Sequence, residues 1–239
     1  MKKTIIFISI VFFVLAIIPR TAASASDDAS VYLIHGVPGK DIGLDPDLPV
    51  DMSANGKCIA KGVKFGQVVG PVKIKKGKNL IKVYEADPNN PCSGQVYDEK
   101  NITFYANEKA SLLGHLTQQG DTTLSKFTND FSPVANKKGR VVLHHTAAVS
   151  ELQVEVAAIT STEHPFMRNE YFENGDKFLV ELPKKWKWNM EVALSGSGSS
   201  TFYSKQLKVK PYKGMFIYLV GTRTTGTFKA IILNTKKLK

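Results

Sequence analysis

Residues 72–83 read Val72-Lys73-Ile74-Lys75-Lys76-Gly77-Lys78-Asn79-Leu80-Ile81-Lys82-Val83. Val72 and Ile74 alternate with Lys73 and Lys75, the chain turns through Lys76-Gly77-Lys78, and Ile81 and Val83 resume around Lys82. A repeat of two is that of a strand with one buried face, and the Lys-Gly break is a turn. The stretch therefore predicts a hairpin with its lysines on the wet side, where their charge also discourages pairing with another chain. The same pattern returns about one hundred residues on. Phe178, Val180 and Leu182 lead through Pro183-Lys184-Lys185 to Trp186, Trp188, Met190, Val192 and Leu194, which share one face.

The flanking segments repeat in the same order. The short apolar run Val31-Tyr32-Leu33-Ile34-His35 is answered by Arg140-Val141-Val142-Leu143-His144-His145, and Ala110 to Leu116 by Phe216 to Gly221. Gln119-Gly120-Asp121 turns the chain into Thr123 to Phe127. Thr224-Thr225-Gly226-Thr227 does the same before Phe228 to Leu233, where Phe228, Ala230 and Ile232 fall on one side. Neither half contains an amphipathic helix of ordinary length. The fold class is thus all-β: two tandem antiparallel β-sandwich modules, immunoglobulin-like or related, each of six to eight short strands. Short, unevenly spaced strands favour a sandwich over a closed barrel. The expected bounds are 29–132 for the first module, 133–138 for the linker and 139–235 for the second.

The chain of 239 residues is 43% hydrophobic and 22% charged, which excludes wholesale disorder. Its first 25 residues carry an export pattern. Lys2 and Lys3 precede a run from Ile5 to Ile18 that is apolar except for Ser9, and Ala23-Ser24-Ala25 supplies a small-x-small cleavage site. About fifteen apolar residues make a helix of about 22 Å, short of the roughly 30 Å hydrocarbon core. Residues 1–25 are therefore read as a cleaved signal peptide, the alternative being an uncleaved N-terminal anchor. No transmembrane segment is expected in the mature chain, and the expected location is secreted, extracellular or envelope-associated.

Two cysteines, Cys58 and Cys92, survive such cleavage. In an oxidising compartment an even pair within one domain reads first as a disulfide, worth about 4 kcal/mol on the chain-entropy estimate. Unpaired buried thiols and metal or redox chemistry are the alternatives. Charge is divided unevenly. Residues 26–138 carry 14 basic and 13 acidic side chains, whereas residues 139–239 carry 15 and 8. Attraction to an anionic surface should thus belong mainly to the second module. Its candidate ligand surface is Lys184, Lys185, Lys187, Lys205, Lys208, Lys210 and Lys213. The tryptophans among these lysines look first like an inward sandwich face, and secondarily like a ligand platform.

His35 and His145 end similarly placed strands and read as structural histidines, with ligand binding or proton transfer as the other possibility. Asp41, Asp45, Asp47 and Asp51 surround Gly43, Pro46 and Pro49; they read as a solvated turn-rich loop, with weak calcium binding as the alternative. Asp51 is also placed to cap backbone groups at the turn before Asn55-Gly56. Asn101-Ile102-Thr103 is a formal glycosylation sequon that fits the strand pattern. There is no Gly-x-Ser-x-Gly elbow and no His-Glu-x-x-His motif, so no catalytic, metal or cofactor residue is assigned.

Several segments also resemble the bacterial secreted modules known as domain of unknown function 4397. They are Val31 to Gly39, Pro49 to Lys57, Val63 to Val68, and the Lys76-Gly77 turn before Ile81–Tyr84. Leu124 to Asp130 then leads into Lys138 to Ala148, which looks like the joint between tandem modules. The resemblance implies a β-sandwich in an envelope or extracellular protein and supplies no functional residues. The second copy departs from it: Gln153 stands where the family's common Asp is expected, and the equivalent of Asn55-Gly56 is missing. The expected function is an exported, non-catalytic structural or binding protein of the cell envelope or extracellular space. The alternative is a carbohydrate or anionic cell-wall polymer binding protein, and a distant one is an extracellular hydrolase. Expected partners are a cell-wall polymer, a glycan or another envelope protein, with no nucleic acid because export removes the chain from it.

Overall fold

A computed structural model describes residues 27–159, 166–196 and 200–238. The export segment, residues 1–25, lies outside them. The first half forms β1 (Ala29–His35), β2 (Val50–Ala54), β3 (Lys57–Val63), β4 (Val68–Ile74), β5 (Gly77–Glu85), β6 (Val96–Phe104), β7 (Lys109–Leu116) and β8 (Thr122–Thr128). They make two sheets, ordered β4-β1-β7-β8 and β3-β2-β5-β6. The second half supplies β9 (Lys138–His145), β10 (Leu152–Ala158), β11 (Phe166–Phe172), β12 (Lys177–Pro183), β13 (Trp188–Leu194), β14 (Tyr203–Leu207), β15 (Lys213–Val220) and β16 (Lys229–Lys237). Its sheets are ordered β12-β9-β15-β16 and β11-β10-β13-β14, the same topology eight strands later. The chain is all-β, built as two β-sandwiches in tandem.

Each sandwich encloses its own core. Val31 and Leu33 of β1, Met52 of β2, Ile81 of β5, Phe104 of β6 and Leu112 of β7 meet between the first two sheets. Val141 and Leu143, Val154 and Val156, Trp188 to Val192 at alternate positions, and Ile217 and Leu219 fill the second. Trp188 is buried, and its Nε1 donates to the Pro183 carbonyl at 3.0 Å. Trp186 is half-buried against the same core, so the alternating tryptophan stretch points inward as its period demands.

Two expectations are corrected. Residues 72–83 are not a hairpin: β4 pairs with β1, whereas β5 pairs with β2 and β6. The turn at Lys75-Lys76 carries the chain from one sheet to the other, and β12 and β13 repeat the crossing. Alternation reports which face of a strand is buried; Ile74 and Ile81 point into one core from opposite sheets, and nothing in the pattern names their hydrogen-bonding partners. Nor are all the pairs antiparallel. β1 runs parallel to β7, and β9 runs parallel to β15, each at the centre of its sheet.

Those central strands are apolar on both faces because both are buried. Their second face is where the sandwiches meet. Ile34 and Leu113 from the first sandwich form a third core with Val142, Phe216, Tyr218, Val220, Ile231 and Leu233 from the second, and Tyr32, Phe65, Val68, Phe127 and Phe131 close its edge. Gly36 sits at the tightest point. A Cβ there would lie 2.9 Å from Val220 Cγ1 and 2.8 Å from Leu113 Cδ1, so only glycine lets the two sheets approach so closely.

Candidate functional site

The lysine-bearing loops of the second sandwich gather at one end because of strand register. Lys138 opens β9 opposite Pro183, the last residue of β12. That pairing sets the linker residues beside the β12–β13 turn, and the Lys184 N–H donates to the Lys137 carbonyl at 3.2 Å. The β14–β15 connection joins them through the Tyr212 N–H, 2.7 Å from the Lys138 carbonyl. Trp188 pairs with Leu207, so Lys187 and Lys208 flank the same end of β13 and β14. A groove of about 410 Å³ runs between Lys137, Pro183, Lys184, Lys185, Pro211 and Tyr212.

Of the seven lysines expected to form a ligand surface, Lys184, Lys185, Lys187, Lys208 and Lys210 are exposed at this end, and Lys213 is half-buried there. Lys205 is exposed further along, on the edge strand β14. The structure adds Lys137 and Lys138, the last residues of the expected linker 133–138. Their sequence distance from Lys184 hid them, and only the β9–β12 register brings them close. Among the described residues none of these lysines forms an ion pair. Lys185 instead lies over the Trp186 ring, 4.3 Å from its centroid. The nearest acid on β12, Glu181, is already held by the Arg140 guanidinium at 3.0 Å and by the Ala135 N–H. Burial would raise the Glu181 carboxyl, but those contacts outweigh it and hold the group below its ordinary value.

The acidic loop of the first sandwich has other work. The Asp41 carboxylate accepts from the Thr225 and Thr227 hydroxyls of the second sandwich, and Lys40 Nζ reaches the Thr225 carbonyl at 2.9 Å. The start of this loop is thus an inter-module latch, while Gly43 to Asp47 are exposed turn residues, as the sequence predicts. Asp45 accepts from the Asp47 N–H, and Asp47 lies 3.6 Å from Lys64. Asp51 is buried and accepts from the N–H groups of Gly62 at 2.8 Å and Cys92 at 2.7 Å. It caps backbone, as expected, but across to β3 and the cysteine loop and not at the Asn55-Gly56 turn. Among the described residues no three His, Cys, Asp or Glu side chains are grouped to hold a metal. Cys58 and Cys92 are disulfide-bonded, with Cα atoms 5.7 Å apart, next to that Asp51 clamp.

The histidine rings bind backbone. His35 Nε2 meets the Leu48 carbonyl at 3.0 Å, and His145 Nε2 the Ser150 carbonyl at 3.3 Å. Burial lowers both pKa values, that of His145 to about 4. Two histidines that sequence reasoning did not single out, His115 and His144, face the contact between the sandwiches. Among the described residues no helix is long and apolar enough to cross a membrane.

Residues 29–155 match the family described as a domain of unknown function, DUF4397. The match spans the first sandwich and runs into β10. One solved structure similar to this chain is that of a candidate cell adhesion protein from Bacteroides ovatus, at 10% identity and a TM-score of 0.28, covering 89% of this chain and 97% of that one. No curated protein matches the chain.

Proposed function

The chain belongs to the DUF4397 family, and from that premise we propose that it is an exported, non-catalytic binding protein that presents a cationic end to an anionic polymer of the cell envelope. Its working unit is the pair of modules 29–132 and 139–235, held by the segment 133–138. The observation that carries this reading is the convergence of three lysine-bearing loops whose lysines form no ion pair among the described residues; Glu181, which feels the charge of Lys138, is itself held by Arg140. A polyanion takes up such charge without needing a shaped pocket, and its attraction is strongest at low salt. The sandwiches serve as a rigid mount, because the lysines sit on turns fixed by backbone hydrogen bonds between β9, β12 and the β14–β15 connection. The export pattern at residues 1–25 is consistent with an envelope target such as teichoic acid.

The test is co-sedimentation of the mature chain with purified teichoic acid over a salt series, with a neutral glucan as control. Three rim charges at about 0.5 kcal/mol each amount to about tenfold in Kd. The triple variant Lys184→Ala, Lys185→Ala, Lys187→Ala should weaken binding by at least that much, and rising salt should abolish it. Binding that ignores both the variant and the salt contradicts the reading.

A further inference from the structure

At the opposite end of β9 and β12, about 25 Å from the lysine-rich end for an eight-residue strand, the two sandwiches leave a cleft of about 530 Å³ between them. That size lies within the roughly 300–1,000 Å³ of small-molecule sites, which favour domain junctions. One wall is the outward face of β7 and β8 with the edge of β6: His115, Thr123, Ser125, Phe127, Lys100, Asn101 and Thr103. The other is Thr146 and the turn at Asn174-Gly175 from the second sandwich.

The polar groups on these walls are held in place and not used up. His115 donates from Nδ1 to the Leu116 carbonyl at 2.9 Å, which leaves Nε2 to accept the Ser125 hydroxyl at 2.9 Å. The Ser125 proton is thereby committed and its oxygen remains an acceptor. Asn174 Nδ2 donates to the Ala147 carbonyl at 2.7 Å, which fixes the amide and leaves its oxygen free to accept. The side chains of Asn101, Thr103 and Thr123 make no hydrogen bond among the described residues. Lys100 gives one proton to the Leu124 carbonyl at 2.8 Å and keeps two. No carboxylate lines the cleft.

We propose that this cleft binds a short acidic saccharide, with Asn101, Thr123, Ser125 and Asn174 bonding its hydroxyls and Lys100 taking its carboxylate. Asn101 and Thr123 can both donate and accept, Ser125 and the Asn174 oxygen can only accept, and sugar hydroxyls are the ligand groups that meet both needs. A lone anion only accepts and would leave Ser125 and the Asn174 oxygen unmatched. Lys100 faces the cleft with two protons still to give; Asp98 on the same strand draws on its charge from outside the lining, and Lys126, also in the wall, is neutralised by Glu108, so the cleft selects one negative charge. The site does not depend on the lysine-rich end.

An amide NMR titration of the mature chain with glucuronate, glucose and acetate tests it. Glucuronate should shift residues 100–103, 115–117, 123–127 and 174–175, glucose should do so more weakly, and acetate should not. Asn101→Ala removes an exposed side chain that bonds nothing, so the fold survives; the glucuronate Kd should rise about fivefold, as for one lost hydrogen bond. Thr123→Ala gives a second such reading, and Lys184→Ala should change nothing. Absence of shifts, equal shifts with glucose or acetate, or shifts confined to the lysine-rich end would each overturn the assignment.

Discussion

The His144 ring lies 5.1 Å from Tyr218 and nearly parallel to it, with Phe127 of the other sandwich at 4.4 Å. Neither of its nitrogens has a hydrogen-bond partner, and Lys177 stands opposite it across β9 and β12. Burial, with Lys177 adding repulsion, lowers its pKa from 6.5 to about 4. The unfolded chain therefore binds the proton more readily than the folded one. Stability is full above about pH 6.5, falls by up to about 1.4 kcal/mol per pH unit as pH drops towards 4, and levels off below. His145, lowered by burial to about 4, adds a second such contribution inside its own sandwich. Burial lowers His35 and His115 in the same direction, and His144→Phe keeps an aromatic ring between Phe127 and Tyr218 while removing one of these four contributions. Urea denaturation at pH 7.5 and 5 should show the variant losing less stability on acidification than the parent, the remainder belonging to the other buried histidines; an equal loss would mean that His144 is not the buried group described.

At the scale of elements, the exposed edges β6 and β8 are closed by lysines that cross between sheets. Lys100 of β6 donates to the Leu124 carbonyl of β8, and Lys126 of β8 donates to the Thr103 carbonyl of β6 at 2.7 Å. The two are not equivalent. Lys126 also neutralises Glu108, whose side chain is only 5% exposed. Burial alone would raise the Glu108 carboxyl, but Lys126, the Tyr105 N–H and the Thr128 hydroxyl outweigh it. Lys126→Ala strands that carboxylate and should cost about 3 kcal/mol, whereas Lys100→Ala loses one hydrogen bond, about 1 kcal/mol. Chemical denaturation of the two variants ranks them, and equal losses would argue against the Glu108 pairing. The linker has a similar hub. Buried Arg140 holds Asp130 at 2.8 Å, the Ser132 hydroxyl at 2.9 Å and Glu181 at 3.0 Å. Arg140→Ala should expose the segment around Lys137-Lys138 to trypsin; an unchanged cleavage rate would show that the linker is held by other means.

These elements also mark what was legible beforehand. Alternation at Trp186 to Leu194 named the buried face correctly, and the cysteine pair was readable from its count and the expected oxidising compartment. The runs Val141-Val142-Leu143 and Met215 to Val220 carried a further signal: strands apolar at consecutive positions are buried on both faces. As a repeat they report the tandem modules; which surface covers their second face depends on the other sandwich, beyond the reach of either run. Pairing partners lay beyond the pattern, so β4 and β5 read as a hairpin. The uses of Asp41 and Lys137 depend on residues far away in sequence, Thr225 for the first and Lys184 for the second, and that of His115 on the register between β7 and β8; local periodicity reports neither.

For the whole molecule, the contact between sandwiches decides what kind of object the chain is. Each large side chain buried there, such as Ile34, Leu113 or Phe216, stabilises the docked state by about 1.5–3 kcal/mol relative to exposure. The Asp41 latch and the Tyr218 hydroxyl, which reaches Asn129 at 3.5 Å, add direction to that apolar contact. A seam of this kind fixes the relative orientation of the lysine-rich end and the cleft, both of which lose their definition if the sandwiches tumble apart. Residual dipolar couplings measured on the mature chain in a weakly aligning medium test this directly. One alignment tensor should fit the amides of both sandwiches in the parent, and Ile34→Asp should separate it into two. Two independent tensors in the parent chain would contradict the account.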